Sequence, residues 1–513
     1  MQKYLLGLDA GNTVIKAVVF DLSGRELAHA GEEGHSRMPY PGHVERDLDE
    51  LWSNAKRVIR ACLDKAGIAA SDIAAIGCAG HGNGLYALDR EGDPLIGIQS
   101  LDTRAIGLVE EWTAKGVGAK TYPIARQRPW PSQTPTLLAW LKHYQPELFD
   151  QIGTVFFSKD FVVNRLTGKR FSEVSDMSGA GLLDLATRRY DSALMEAYGL
   201  GDCMDILPPL IESDNIAGNV TEAVARETGL AAGTPVVGGL FDVVASALGS
   251  GVSRTGSASI IAGTWSINQI IVDGPDLERP VFMTSTFDRS RYMAMENSAT
   301  SAANLEWLVR EFFGGEHHAD ISPFDVCCGL AAAIEPANDD PLYHPYLYGA
   351  QQDGHARAGF YGIAGWHTKG HLIRALLEGV AFGHRQHVEA IRNAGATFEE
   401  AVLSGGGSRS RLWPQIFADV LGVPVTVADS RETGALGAAI AAGTGVGLFS
   451  DFTEGANAMV RTDRQYMPNA ALDGHYNRRY ALYRDITTAM TPLWRSIQTS
   501  SVQSAHSRRR SLS

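Results

Sequence analysis

Two short turns of the sequence carry residues suited to phosphate binding, and each follows an apolar, strand-like segment. The first runs from Asp9 to Thr13, with Lys16 close behind it, and the second runs from Gly263 to Ser266. Glycine and hydroxyl residues at a turn allow backbone N–H groups to approach phosphate oxygens. Asp9, at the end of its strand, can reach a magnesium ion directly or through water. Each turn alone could be an ordinary hairpin turn, but together they predict two contacts to a polyphosphate.

A carboxylate stands at a predicted strand-to-helix junction, in the segment from Gly238 to Ala245. The positive end of a helix dipole favours negative charge, so we expect Asp242 to be ionised and available as a general base. The alternative is that Asp242 caps the helix. The two roles are compatible.

A third glycine-rich turn, Ser404 to Ser410, lies between a predicted strand (401–403) and a predicted helix (412–421). Three consecutive glycines before a helix allow a ligand ring or a phosphate to approach the backbone closely. The turn lacks the Gly-Lys-Ser/Thr ending of a Walker A loop. It also lacks the acidic residue that a dinucleotide-binding site places on the ribose. An ordinary strand-to-helix turn is the alternative.

These turns must be positioned by strands and helices that alternate along the chain. Residues 3–8 and 14–20 predict a β-hairpin, followed by a helix that begins near Asp47 and by a buried strand over 73–78. A second hairpin is predicted over 258–272, with the same layout of apolar strand, Gly-Thr turn and apolar strand. This repetition predicts an internal duplication with a boundary near Ser250, in an α/β protein.

Composition narrows the class of protein further. The chain has 513 residues, enough for two or three domains, and a net charge of −13, which argues against a general nucleic-acid binder. Its 55 glycines are more than average, and they indicate many tight turns or close backbone approaches. Five cysteines without paired spacing predict neither a disulfide scaffold nor a structural zinc site. No signal peptide or membrane span is recognisable, so we expect a cytoplasmic protein.

The order of these turns resembles that of the FGGY family of carbohydrate kinases, from about Tyr4 to about Arg495. Within the family, the segments Tyr122–Gln127, Gly233–Asp242 and Asn304–Trp307 resemble bacterial kinases of L-xylulose and 3-keto-L-gulonate. Several independent motifs agree in order and spacing, which makes the resemblance to the family specific.

The resemblance implies an α/β fold of two actin-like, ribonuclease-H-type ATPase domains with an interdomain cleft that closes over the substrates. Residues 1–250 would form the N-terminal, sugar-binding domain and residues 251–495 the C-terminal, ATP-binding domain. The Ser/Arg-rich residues 496–513 are predicted to be a disordered tail.

The resemblance also assigns site residues by motif. The implied ATP and phosphate site consists of Asp9, Gly11, Asn12, Thr13, Lys16, Gly263, Thr264, Ser266, Gly405, Gly406 and Gly407, with Gly434 and Gly437 bordering the pocket. The implied sugar site consists of His81, Asn83, Asp102, Phe241 and Asp242. Asp242 would be the catalytic base and Asp9 the magnesium ligand.

Three positions depart from the family pattern. Asn83 stands where xylulose kinases carry a histidine, Leu101 replaces an asparagine, and Phe241 replaces a glycine. The departures at Asn83 and Leu101 argue against a plain D-xylulose kinase, whereas Phe241 resembles the L-xylulose-type kinases and is expected to narrow the sugar pocket.

The expected activity is therefore phosphorylation of a primary hydroxyl of a small sugar, with ATP and Mg²⁺. L-xylulose or 3-keto-L-gulonate is the first expectation, and a D-xylulose, ribulose or erythritol-type (polyol) kinase is the alternative. An actin-like or chaperone-like ATPase would need a polymer surface or a further domain, and only a short segment follows Arg495. The expected partner is the small-molecule sugar, with no nucleic acid or membrane, and a homodimer is the default assembly.

Overall fold

The computed structural model of the chain describes residues 4–313, 322–350 and 354–510. Contacts between residues divide the chain into two compact units. We call Met1–Thr255, Ile271–Ala294 and Asp429–Arg461 the N-terminal unit, and Gly256–Ile270, Met295–Ala428 and Thr462–Ser513 the C-terminal unit.

The strands of the first 255 residues are β1 (Tyr4–Ala10), β2 (Val14–Asp21), β3 (Glu26–Glu33), β4 (Ser36–Arg37), β5 (Glu45–Arg46), β6 (Ile73–Gly80), β7 (Leu85–Asp89), β8 (Pro94–Ile98), β9 (Ile152–Phe156), β10 (Ser172–Glu173), β11 (Leu183–Asp184), β12 (Arg189–Tyr190), β13 (Leu210–Ile211), β14 (Ile216–Asn219), β15 (Pro235–Val237) and β16 (Leu240–Phe241). The helices of the same stretch are α1 (Leu48–Ala66), α2 (Ile106–Ala114), α3 (Val117–Ala125), α4 (Thr134–Tyr144), α5 (Pro146–Phe149), α6 (Ser158–Thr167), α7 (Val174–Gly179), α8 (Ser192–Ala197), α9 (Glu222–Thr228) and α10 (Asp242–Gly249).

The strands that follow are β17 (Ser257–Ala262), β18 (Ser266–Val272), β19 (Met283–Thr286), β20 (Tyr292–Ser298), β21 (Leu342–His344), β22 (Gly359–Tyr361), β23 (Glu400–Ser404), β24 (Val425–Ala428) and β25 (Thr462–Tyr466). The helices that follow are α11 (Ala303–Phe312), α12 (Pro323–Ala332), α13 (Lys369–Asn393), α14 (Leu412–Leu421), α15 (Thr433–Gly445), α16 (Phe452–Met459) and α17 (Asp473–Arg510).

The N-terminal unit is built on a seven-stranded sheet in which β14, β15, β6, β1, β2 and β3 lie side by side and β16 also pairs with β6. Strands β1 and β2 form the predicted antiparallel hairpin, and β1 is parallel to β6. Helix α1 begins directly after Asp47, as predicted, because the Asp47 carboxylate accepts hydrogen bonds from the N–H groups of Asp49 and Glu50. Every residue of β6 is buried, as expected for a central strand.

Several glycines of this unit allow helix α15 to lie directly on the sheet. A Cβ atom at Gly7 would overlap the carbonyl oxygen of Ala435, and one at Gly77 would overlap that of Ala438. The close approach requires small residues on both sides, and α15 is made almost entirely of alanine and glycine along its buried length. Part of the high glycine content therefore serves helix-to-sheet packing rather than turns.

The C-terminal unit repeats the arrangement of the first sheet. Strands β17 and β18 form the second predicted hairpin, and β17 is parallel to β23, as β1 is to β6. Strand β24 continues the sheet in parallel and β25 closes it in antiparallel. The same order of hairpin and parallel third strand thus occurs in both units, as the sequence predicts.

The last helix, α17, extends to Arg510, so it includes most of the segment for which the sequence predicts a disordered tail. None of the helices in the described part of the chain is both long enough and apolar enough to cross a membrane.

Candidate active site

The first phosphate turn of the N-terminal unit has a carboxylate and an ammonium group facing each other. Asp9 and Lys16 are paired across the β1–β2 hairpin, and Lys16 Nζ lies 2.8 Å from Glu432 Oε2. Burial raises the pKa of Asp9 to about 6, against the opposing effect of Lys16. A Cβ atom at Gly434 would lie 2.7 Å from Asp9 Oδ2, so the carboxylate rests against the start of α15. The sequence did not indicate Glu432 as a site residue, because it lies 416 residues away from Lys16 in the chain.

The backbone of this turn is held by side chains from elsewhere in the unit. Arg46 Nη1 donates to the carbonyl oxygen of Gly11 at 2.9 Å, and Gln99 Nε2 donates to that of Asn12 at 2.6 Å. Asn12 itself donates through Nδ2 to Ser100 Oγ at 2.8 Å, whereas Thr13 is exposed. The turn is therefore fixed in conformation while its tip faces solvent.

Asp242 is the first residue of α10, directly after the short strand β16. Phe241 is the cap residue and Asp242 already lies inside the helix, so the prediction that Asp242 caps the helix is wrong. Burial raises the pKa of Asp242 well above its ordinary value, and the carboxylates of Asp9 and Asp176 raise it further. The expectation that Asp242 is simply kept ionised by the helix dipole therefore needs correction, because burial and neighbouring carboxylates outweigh the favourable N–H of Val243.

A buried ammonium group surrounded by carboxylates lies behind Asp242. Lys159 Nζ is 2.6 Å from Asp160 Oδ1, 2.9 Å from Asp176 Oδ2 and 3.4 Å from Glu173 Oε2. All four side chains are at most 2% exposed. Burial lowers the pKa of Lys159 but the three carboxylates raise it more, so the ammonium is charged. We call these four residues the lysine cluster.

A chain of hydrogen bonds connects the lysine cluster to the residue that precedes Asp242. Glu173 Oε2 accepts from Ser175 Oγ at 2.6 Å, and Ser175 Oγ accepts from the backbone N–H of Phe241 at 2.9 Å. Ser213 Oγ donates to the other oxygen of Glu173 at 2.6 Å. The cluster therefore helps to set the position at which α10 begins, and with it the position of the Asp242 carboxyl.

The loop from His81 to Gly84 packs against the same region. Burial lowers the pKa of His81 to about 3, so the ring is neutral, and its Nε2 shares a 2.6 Å hydrogen bond with Tyr86 Oη. Asn83 has a left-handed φ of 62° and is buried. A Cβ atom at Gly82 would lie 2.8 Å from Asp176 Oδ1 and would overlap the ring of Phe241. Thus the loop, Asp176 and Phe241 lie in direct contact.

Asp102 is buried, and both of its carboxylate oxygens already have partners. Arg104 Nη2 lies 2.9 Å from Oδ2, which also accepts from the backbone N–H of Val44 at 2.6 Å. The backbone N–H of Arg104 donates to Oδ1 at 2.8 Å. These contacts favour a positioning role for Asp102.

Several polar atoms near the 81–84 loop are buried without any hydrogen-bond partner among the described residues. They include Asn83 Oδ1, Gln127 Oε1, both polar atoms of the Gln133 amide and both carboxylate oxygens of Asp176. An unpaired buried polar group costs about 1–3 kcal/mol, so such a group indicates a strained site or a missing polar ligand. We call these four residues the polar wall.

The members of the polar wall are joined through α7 and the residues that follow it. Gln127 Nε2 donates to the carbonyl oxygens of Ser178 at 2.9 Å and Thr284 at 2.5 Å. A Cβ atom at Gly181 would lie 2.8 Å from Gln133 Nε2 and 3.2 Å from Gln127 Cγ. Sequence reasoning missed both glutamines and Asp176 as site residues, although an acidic, serine-rich stretch over 172–178 is visible in the sequence.

The C-terminal unit brings the second phosphate turn and the triple-glycine turn together. Gly405 has a φ of +82°, and a Cβ atom there would lie 2.8 Å from the carbonyl oxygen of Ala262. Gly406 and Gly407 continue this turn as a short 3₁₀ segment over Gly406–Arg409. The carbonyl oxygen of Gly263 accepts from Ala302 N at 2.7 Å, which adds the start of α11 to the same place.

The two hydroxyl residues of the second turn have different environments. Thr264 is exposed at the tip, and its carbonyl oxygen accepts from Ser301 N at 3.0 Å. Ser266 is buried, and its Oγ lies 3.1 Å from His384 Nδ1. Thr264 is therefore free at its side chain to meet a ligand, whereas Ser266 is engaged in a buried network.

Two mixed α/β units, each with a hairpin, a further strand parallel to the first strand of that hairpin and a glycine-containing turn suited to phosphate, form an actin-like ATPase fold. The N-terminal domain of the FGGY family of carbohydrate kinases matches residues 4–249, and the C-terminal domain of that family matches residues 258–446. The chain belongs to the FGGY family of carbohydrate kinases and is a sugar kinase.

Relatives and solved structures of this family cover nearly the whole chain. It is 35% identical to the L-xylulose/3-keto-L-gulonate kinase of Escherichia coli K12 over 96% of this chain and 98% of that protein. It is also 35% identical to a probable L-xylulose kinase of Pasteurella multocida, over 95% of this chain and 99% of that protein. The crystal structure of xylulose kinase from Rhodospirillum rubrum is 28% identical, with a TM-score of 0.87, over 96% of this chain and 100% of that one.

Proposed function

We propose that this protein phosphorylates a primary hydroxyl group of L-xylulose or 3-keto-L-gulonate with ATP. Asp242 carries the proposal: it is a carboxyl at the start of a helix, beside the buried carboxyls of Asp9 and Asp176, in a chain of the sugar-kinase family. The name of the Escherichia coli relative supports this choice of sugars.

In the proposed reaction, ionised Asp242 accepts the proton of the sugar hydroxyl as that oxygen attacks the γ-phosphorus of ATP in line. A new O–P bond forms, the bond between the γ-phosphorus and the bridging oxygen breaks, and ADP leaves. The turns at 11–13 and 263–264 bind the phosphate oxygens, and the loop at 81–84 binds the sugar. The raised pKa of Asp242 makes its carboxylate a stronger base than an exposed aspartate.

Asp9 fits a magnesium ion that is held mainly by the nucleotide. No group of three His, Cys, Asp or Glu side chains within 4–313, 322–350 and 354–510 is arranged to hold a metal. A single carboxylate is sufficient, because Mg²⁺ commonly keeps several waters and binds one or two carboxylates plus substrate phosphates. When bound, the ion would neutralise charge on the phosphate oxygens. Partial burial next to Lys16 orients the Asp9 carboxylate for this contact.

The proposed nucleotide contact of the triple-glycine turn leads to a prediction for Gly405. The Gly405→Ala variant places a Cβ atom against Ala262 at a left-handed φ, which costs about 1–2 kcal/mol before the overlap is counted. We expect KM for ATP to rise by about tenfold or more, as 1.4 kcal/mol gives a factor of ten. Steady-state kinetics with varied ATP measures this effect.

Gly422 offers a matched control in the same unit. It also has a left-handed φ, +68°, but no atom lies within 4 Å of the position of a Cβ atom there. Gly422→Ala should therefore lose a little stability and keep its KM for ATP. Equal KM values for the two variants would contradict the nucleotide role of the Gly405 turn.

The substrate is tested by ADP release in the presence of magnesium and ATP, with a panel of ketoses, keto-sugar acids, polyols and aldoses. We expect one ketose or keto-sugar acid to raise turnover far above the rate with water. A preference for D-xylulose, ribulose or erythritol would replace the proposed sugar, and no response from any sugar would contradict the function. The expected cytoplasmic location and homodimer remain part of the proposal.

A further inference from the structure

We infer that His384 is a positioning residue for ATP: it holds segment 300–302 against β18, and that segment orients two peptide groups of the second phosphate turn for binding phosphate. This role rests on the proposed function, in which the turn at 263–264 binds the nucleotide. It follows from one buried network of hydrogen bonds within the C-terminal unit.

The ring of His384 is neutral, and its neighbours decide which nitrogen carries the proton. His384 is buried, and burial lowers its pKa well below the ordinary value. Asn268 donates through Nδ2 to the carbonyl oxygen of Glu296 at 3.4 Å, and a carbonyl oxygen can only accept. Asn268 Oδ1 therefore faces His384 Nδ1, 2.8 Å away, and accepts a hydrogen bond from it. In a neutral ring Nε2 is then the acceptor.

The two nitrogens of this ring connect β18 to the segment that precedes α11. Ser301 Oγ lies 2.8 Å from Nε2 and donates to it. On the other side of the ring, Ser266 Oγ lies 3.1 Å from Nδ1 and accepts from Asn268 Nδ2 at 3.2 Å. His384 thus uses one donor and one acceptor to hold Ser301 next to the start of β18.

Ser301 and Ala302 in turn hold the backbone of the second phosphate turn. Their N–H groups donate to the carbonyl oxygens of Thr264 at 3.0 Å and Gly263 at 2.7 Å, respectively. In a trans peptide group the C=O and the N–H point in opposite directions. The N–H groups of Thr264 and Trp265 therefore point away from Ser301 and Ala302, at a tip where both residues are exposed. Successive N–H groups at a turn form a site for phosphate oxygens.

This network gives Ser266 a different role from the one that its motif implies. Its hydroxyl is 2% exposed and is engaged by Asn268 and His384, whereas Thr264 is exposed at the tip. Ser266 therefore supports the turn from behind. The sequence did not indicate this arrangement, because His384 lies 118 residues away from Ser266 in the chain.

The test measures, without sugar, the Kd values of adenosine and of a non-hydrolysable ATP analogue with magnesium, by isothermal titration calorimetry. His384→Phe keeps a ring beside Phe417 but has neither the donor nor the acceptor. We expect the Kd of the ATP analogue to rise by about tenfold or more, because the second turn contacts phosphate. The Kd of adenosine should stay unchanged. A merely structural histidine would weaken both ligands or neither.

His344→Phe is the matched control for loss of a buried histidine. His344 is buried in the same unit, but its Nε2 pairs with the carbonyl oxygen of Tyr483 and with Thr487 Oγ1 on α17. This variant should lose melting temperature and keep both Kd values.

Ser301→Ala tests the same connection with a smaller change, and it decides the matter alone if His384→Phe does not fold. Its Kd for the ATP analogue should rise by a similar factor, and the double variant should show no further rise, because both changes break one connection. Additive effects, or an unchanged Kd in Ser301→Ala, would overturn the role of His384. Absence of turnover with every sugar would overturn the proposed function, whereas the Kd values, measured without sugar, would still decide the role of His384.

Discussion

Asp242→Asn is expected to be almost inactive while remaining folded. Removal of a general base usually lowers the rate by about 10²–10⁴-fold, and asparagine keeps the shape of the side chain without the basic oxygen. Phe241 N remains bonded to Ser175 Oγ, so the start of α10 should not move. ADP release at saturating ATP and sugar measures the loss, and circular dichroism verifies the fold.

The same substitution should change the dependence of stability on pH. Burial and two carboxylates raise the pKa of Asp242 in the folded protein above its ordinary value near 4. The folded state therefore binds this proton more tightly than the unfolded state, and stability falls as pH rises from about 4 through the folded pKa. Asparagine lacks this proton, so the variant should gain melting temperature relative to wild type as pH increases.

Wild-type activity should rise with pH over the same interval, because only the ionised carboxylate accepts the proton of the sugar. A pH profile of kcat in wild type, measured beside the two melting curves, tests both statements. A turnover number in Asp242→Asn equal to that of the wild type would contradict the assignment of Asp242 as the general base. A loss of turnover together with a lower melting temperature at every pH would instead indicate a structural role.

The sequence was sufficient to predict those parts of the fold that depend on neighbouring residues. Both hairpins, the start of α1 after Asp47 and the helix at 412–421 follow from local patterns of apolar, glycine and capping residues. The repetition of the hairpin in the second half was visible for the same reason. Resemblance to a family then added the order in which the glycine turns occur, and the family itself is confirmed.

Contacts between remote parts of the chain could not be predicted in this way. Glu432 reaches Lys16 from 416 residues away, and Gln127 meets Thr284 from 157 residues away. The sequence also predicts that Asp242 is ionised, because the helix dipole is visible in the sequence. Burial and the neighbouring Asp176, which raise the pKa of Asp242, are visible only in the folded chain. The properties of a site therefore depend on groups that only the folded chain brings together.

Lys159→Met is expected to destabilise the N-terminal unit strongly. The methionine fills similar volume but leaves Asp160, Glu173 and Asp176 buried without their cation. Breaking a buried ion pair by removing one partner costs about 3–5 kcal/mol. Lys142→Met is the control, because its pair with Asp202 is at the surface, where ion pairs contribute little to stability. Thermal denaturation followed by circular dichroism compares the two variants.

Two causes of the lost stability, uncompensated negative charge and lost packing, can be distinguished by removing one of the negative charges. Asp176→Asn in the Lys159→Met background removes one of the three carboxylates and should recover part of the lost melting temperature. Lower pH should also recover part of the lost melting temperature, because buried carboxyls without a cation bind protons more tightly in the folded state. Burial already raises the pKa of Asp176 to about 8. A loss no greater than that of Lys142→Met, or no recovery by either route, would show that the lysine cluster does not stabilise the fold through its charges. Since Glu173 reaches Phe241 N through Ser175, recovery of stability should be accompanied by recovery of turnover.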